Sequence, residues 1–433
     1  MTSTASSMIT NSLLKTAAVA LTATLLAAPA LADLTALTGA TVHPVNQEPI
    51  ENGIVLIESG HIQAVGADLD IPDNARRIEL DGLHLYPGFV HPGTQLGLTE
   101  ISSVAGTVDT TEMGNINAAL RAEVAVNHDS ELLPTTIAGG VLSAHIVPGG
   151  GLIRGHSAMM RLDGWSWEEM VLAAPVAMHL SFPPGAVEDE DNEDLALIER
   201  TLDQARHWHR AEAAAANGNG SRPARNDQLQ ALGGLLSGDV PLVLHANRDD
   251  VMTAALNWAE AQGFERVILS ANADVQYIAE RLAADDIPVI LRGIYTMPTR
   301  RWEAYDMAYV APARLHEAGV RFAISDSGGG MEVANARNLP FQAGSATAHG
   351  LPNDAALKSV TLWPAQILGL GDELGSIEPG KRASLFAATG DPLEPMTRIE
   401  RVWIDGQEYD LYRDRSKRLY ERYRERNANV QGR

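Results

Sequence analysis

From residue 86 to about 368, short apolar runs alternate with stretches of helical character, and that alternation leaves few folds open to this chain. Residues 240–244 are almost wholly apolar, as a strand buried on both faces must be, and 249–262 behind them have helical spacing. The same unit recurs as strand 266–269 with helix 274–284, and as strand 288–291 with helix 312–318. Strand 321–324 follows, with short helices at 354–361 and 363–368. Upstream, 141–147 and 176–180 read as strands, and 168–173 and 195–216 as helices. Counted from Phe89, seven or eight strands fit. Parallel strands joined by helical crossovers close most simply into eight. The expected class is α/β, a TIM-like (β/α)8 barrel over residues 86–369.

The flanks follow another rule. Residues 34–80 hold short alternating strands, with Ser59-Gly60 placed for a hairpin turn. Strand signals return at 383–387 and 399–405. The two ends of the chain can therefore complete one small composite β-sandwich, 33–85 with 370–410. The tail, 411–433, reads as an amphipathic helix that can pack Leu411, Tyr412, Leu419, Tyr420 and Tyr423 on one face.

Composition excludes several functions. The formal net charge over 433 residues is -22, which disfavours nucleic acid and anionic membrane as partners. There is no cysteine, so no disulfide framework and no thiolate ligand or nucleophile. At the N-terminus Lys15 precedes the apolar run 16–26, and Ala30-Leu31-Ala32 has the form of a cleavage site. This predicts a signal peptide over 1–32 and a periplasmic or secreted protein, with no membrane association after its removal.

Several motifs carry a family resemblance. They are Tyr86-Pro-Gly-Phe-Val before the first barrel strand, Thr361-Leu-Trp-Pro-Ala-Gln-Ile-Leu-Gly-Leu370 after the last, and Gly375-Ser-Ile-Glu-Pro-Gly-Lys381 beyond it. With Gly390-Asp-Pro-Leu393 and Val402-Trp-Ile-Asp-Gly406, the succession resembles the amidohydrolase superfamily, in its imidazolonepropionase-like branch. The resemblance implies a hydrolase of non-peptide C–N bonds acting on a small molecule. It also implies one divalent metal, zinc above all, that deprotonates water, and a carboxylate that moves the proton.

Position by position, the metal site is depleted. The family's first-strand His-x-His falls on Gly93, Thr94 and Gln95, and its neighbouring Asp on His91, read here as a loop histidine stiffened by Pro92. The sixth-strand histidine is missing from 268–272. His179 stands where relatives carry a lysine, His245 matches the fifth-strand ligand, and Asp326 matches the eighth-strand proton shuttle. The reduced metal set is therefore His179, His245 and Asp326, with Asp326 catalytic. Gln95, Glu100, Arg154, His156 and Arg248 are the substrate-binding candidates, and Arg292 adds a hint of an anionic substrate. Three readings stay open: a working metal hydrolase; a silent binding or scaffold protein on the same fold, lacking the metal; and an exported assembly partner. A homo-oligomer is compatible with each.

Overall fold

The computed structural model describes residues 34–189, 191–298, 300–326 and 329–431; the side chains of 427–431 are outside that description. The expected signal peptide lies outside it too. Among the described residues no helix is long and apolar enough to cross a membrane.

Strands β1 (Thr35–Val42), β2 (Ile50–Glu58), β3 (His61–Gly66), β4 (Arg76–Glu79) and β5 (His84–Pro87) open the chain. They join β16 (Leu385–Ala388), β17 (Ile399–Ile404) and β18 (Gln407–Tyr409) in one eight-stranded sheet. The seam between the two ends is an antiparallel pair, Tyr86 opposite Phe386 and Pro87 opposite Leu385. The expected composite domain from the two chain ends is thus hydrogen-bonded as one continuous sheet. It has its own core of Leu37, Val55, Ile57, Ile62, Leu85, Leu385 and Trp403.

Between these ends come β6 (Phe89–Thr94), β7 (Val141–Ile146), β8 (Ile153–His156), β9 (Ala158–Arg161), β10 (Val171–Ala173), β11 (Met178–Ser181), β12 (Leu242–His245), β13 (Val267–Ala271), β14 (Val289–Arg292) and β15 (Phe322–Ser325). Five of them, β11 to β15, run parallel in consecutive register. The expected single eight-stranded closure is instead two ladders among the described residues, β10-β9-β7-β6 and β15-β14-β13-β12-β11-β8. Ser157 is the hinge where the chain passes from β8 in one ladder to β9 in the other.

Helices on the outside follow the sequence signals closely. Glu193–Ala216 starts at Asn192, whose side chain accepts from the Leu195 amide at 3.0 Å, with Glu193 and Asp194 in its positive first turn. It buries Ile198, Thr201, Leu202 and Ala205, one helical stripe. The 168–173 segment departs from expectation: helix Trp167–Met170 stops after one turn, and β10 continues as an antiparallel partner of β9. The tail helix Arg415–Gln431 forms, but Leu419, Tyr420 and Tyr423 are exposed and only Leu411 of the five expected packing residues is buried.

Candidate functional site

Period-two alternation decides which side chains of the parallel strands share a face. On β12 these are Val243 and His245; on β13 Ser270, level with His245; on β14 Ile290 and Arg292; on β15 Ser325, level with Arg292. All of them line one cavity of about 200 Å³, joined by Gln95, Arg154 and His179. His245, Arg292 and Ser325 each end their strand, so the cavity lies at the C-terminal edge of the sheet, where such folds place their sites. The Ser325 hydroxyl donates to the Gly93 carbonyl at 3.0 Å and ties β15 to β6 beneath the opening.

Two imidazoles form the floor. His179 Nδ1 and His245 Nε2 are 2.9 Å apart and share one hydrogen. Their outer atoms, His179 Nε2 and His245 Nδ1, are buried without a partner. Whichever tautomer holds, the pair presents one N–H and one lone pair outward. Burial first, then neighbouring imidazoles and the arginines, holds both histidines well below their ordinary pKa. His145 on β7 lies against His179 at 5.4 Å between ring centroids, the rings tilted by 40°. Its Nδ1–H donates to the Pro92 carbonyl at 2.8 Å, its Nε2 meets the Ser157 hydroxyl at 2.6 Å, and burial pushes it down to about 4.

Two guanidiniums form the walls. Arg154 Nε donates to the Ser181 hydroxyl at 2.7 Å, and an Arg292 terminal nitrogen donates to the Asn247 side-chain oxygen at 2.7 Å. Arg292 Nε is buried with no partner. Burial, and then the positive charge of Arg292, lowers Arg154 to about 10; burial alone lowers Arg292. Both remain charged at neutral pH, and no carboxylate lines the cavity among the described residues.

Against this geometry the sequence candidates divide. Gln95, Arg154, His179 and His245 reach the cavity. Three of the expected substrate-binding residues do not. Glu100 accepts from Asn127 and Ser130 outside it, half-exposed Arg248 is ion-paired with Asp250 and Glu188, and His156 is buried beside the Arg121–Glu123 pair. Asp326 is turned to another partner: His91 Nε2 donates to its Oδ2 at 3.1 Å. His91 is therefore no loop histidine. It is fully buried on β6, and the Gly93 amide donates to its Nδ1 at 3.3 Å, which fixes the neutral Nε2–H tautomer. His145 was not among the candidates, although a lone histidine in the apolar run 141–147 was a visible signal. Arg292, read from the sequence as a hint of an anionic substrate, also lines the cavity.

Known proteins bear on the fold. A model of the amidohydrolase family matches residues 244–408. Imidazolonepropionase of Rhizorhabdus wittichii is 26% identical over 381 residues, 82% of this chain and 91% of its own. Amidohydrolase tasK of Hapsidospora irregularis is 25% identical over 403 residues, 82% of this chain; the match spans 39% of the length of that relative. The solved amidohydrolase from Thermotoga maritima MSB8 superimposes with a TM-score of 0.79 at 26% identity, over 87% of this chain and 99% of its own. The chain belongs to the amidohydrolase superfamily.

For an amidohydrolase, the donor set here is poor in the groups that hold a dication. Among the described residues no group of three His, Asp or Glu side chains is brought together to hold a metal ion. Of the set His179, His245 and Asp326, only the two imidazoles meet, with their facing nitrogens engaged to each other. Structural and catalytic zinc sites alike need at least three protein donors. Two guanidiniums on the same cavity add repulsion. The residues present do not fit the metal.

Proposed function

We propose that this chain is an exported, metal-free member of the amidohydrolase superfamily, built on a (β/α)8-type barrel, that binds a small molecule at the C-terminal strand ends without hydrolysing it. One observation carries the reading. The cavity in which a metal hydrolase would gather carboxylate and imidazole ligands gathers two arginines, an internally bonded histidine pair and no carboxylate among the described residues. The first-strand residues support it, since Gly93 and Gln95 take the places of two imidazoles. Export rests on Lys15, the apolar run 16–26 and Ala30-Leu31-Ala32.

A second reading, hydrolysis of a non-peptide C–N bond by metal-activated water, draws on the 2.9 Å approach of His179 to His245 and on the names of the relatives. Elemental analysis of the full chain, purified without chelator, separates the two. The expected result is divalent metal far below one equivalent per chain. One equivalent, lost in His245→Ala, would overturn the proposal in favour of the hydrolase. Sequencing the N-terminus of the exported protein tests cleavage after Ala32.

A further inference from the structure

Charge is the least balanced property of the cavity. A buried guanidinium normally has a carboxylate beside it, because an unpaired charge in a low-dielectric interior is costly. Elsewhere even partly exposed arginines of this protein are paired: Arg300 meets Asp249, Asp274 and Glu303, Arg382 meets Glu373 and Asp405, and Arg161 meets Asp405. Arg154 and Arg292 are not. Neither forms an ion pair among the described residues, and their bonds go to a hydroxyl and an amide oxygen, which bring no charge. The two also stand close enough to repel each other. In addition, Arg292 Nε is a buried donor with nothing to donate to, and the His179–His245 pair holds one more unused N–H.

Such an arrangement is built for an anion that arrives from outside. Resting on the metal-free reading above, we infer that the cavity binds a small organic carboxylate, its charged group between Arg154 and Arg292 and its apolar body against Val147, Val243 and Ile290. Guanidinium presents paired N–H donors that match a carboxylate edge, and charge-assisted bonds of this kind are the strong ones. The apolar walls favour an acid with a hydrocarbon part over inorganic phosphate. A cavity of about 200 Å³ limits that part to a few carbons.

The test uses the full chain at pH 7 and constant ionic strength. Sodium butyrate, acetate, phosphate and chloride are compared by calorimetric titration and by shift of the thermal midpoint. Butyrate is expected to bind and to raise the midpoint, acetate to do so more weakly, and phosphate to act no more than chloride. Arg292→Gln should weaken butyrate about tenfold to a hundredfold, the loss of one or two charge-assisted bonds. Arg292→Lys, which keeps charge without the fork, should fall between. Circular dichroism confirms that each variant is folded; removing one of two mutually repelling charges makes unfolding a poor explanation of lost binding. The inference is overturned if no carboxylate shifts the midpoint, if phosphate equals butyrate, or if the variants respond as the wild type does. Metal content measured on the same samples keeps the two proposals apart: metal-free protein indifferent to butyrate defeats only this one.

Discussion

His91 Nε2 donates to Asp326 Oδ2 across 3.1 Å in a contact sealed from solvent, and joins the first parallel strand to the last. The family pattern would have a carboxylate at the first of these positions and a metal beside the second. Here the imidazole takes over part of the cation's structural role. Asp326 is held by the protein itself.

This contact should be costly to break from either side. His91→Ala leaves a buried carboxylate short of a donor and should destabilise by about 3 kcal/mol. Asp326→Asn, which still accepts a hydrogen bond from His91, should cost less than Asp326→Ala. Urea unfolding of the three variants gives the order; equal losses would show that the bond contributes nothing of its own.

Acid should weaken the fold through its interior histidines. His145 sits at about 4, His43 at about 4 through burial and the charge of His84, and His179 and His245 well below 6.5. A folded-state pKa below the unfolded one means that the unfolded chain binds protons first as pH falls. Stability is therefore complete above about 6.5 and is lost between there and about 4, at up to ~1.4 kcal/mol per pH unit for each group. Thermal midpoints measured from pH 7 to 4.5 should fall, and His145→Phe should flatten the slope. A midpoint constant over that range would contradict the buried neutral assignment.

Two glycines near the cavity should behave oppositely. At Gly155, φ is +113° and an added Cβ would meet the Leu120 and Asn117 carbonyls at 2.7 and 2.8 Å. Gly155→Ala should cost several kcal/mol, roughly 3, from strain and backbone contact together. At Gly93 an added Cβ meets only Val147 at 3.6 Å and Ser325 at 3.9 Å. Gly93→Ala should cost under about 1 kcal/mol, and denaturation of the pair measures the contrast.

Arg300 fastens residues 300–306 to Asp249 and Asp274, each at 3.1 Å, while Glu303 within the segment holds the guanidinium at 3.0 Å. Arg300→Ala would leave Asp274 buried without its cation, a carboxyl that burial already raises. Limited proteolysis should then cut near this segment faster, with the rest of the chain resisting as before. An unchanged digestion rate would show that the clamp does not hold the segment.

Much of the architecture was readable because its signals are local. Apolar runs ending in His245 and Asp326 and the turn motifs after Gly375 each specify structure within a few residues. The misread parts depend on partners far away. His91 looked like a loop residue because its carboxylate lies 235 residues on. The short β10 looked helical because only its pairing with β9 makes it a strand. Glu100 looked available because its partner Ser130 lies 30 residues on; Arg248 is a different case, since the Asp250 that occupies it is only two residues away. Arg292 is the converse, a basic residue at a strand end whose importance comes from having no acidic partner among the described residues.

The cavity's charge has a kinetic consequence. The chain as a whole carries -22, from 55 acidic and 33 basic residues, while two positive groups stand at its mouth without acidic partners among the described residues. An approaching anion meets repulsion from the acidic exterior once it comes within about a Debye length of the surface, ~8 Å at physiological salt, and net attraction only at the cavity itself. Added salt should therefore quicken entry while loosening the hold. Cations meet the reverse order, drawn to the outside and turned away at the mouth.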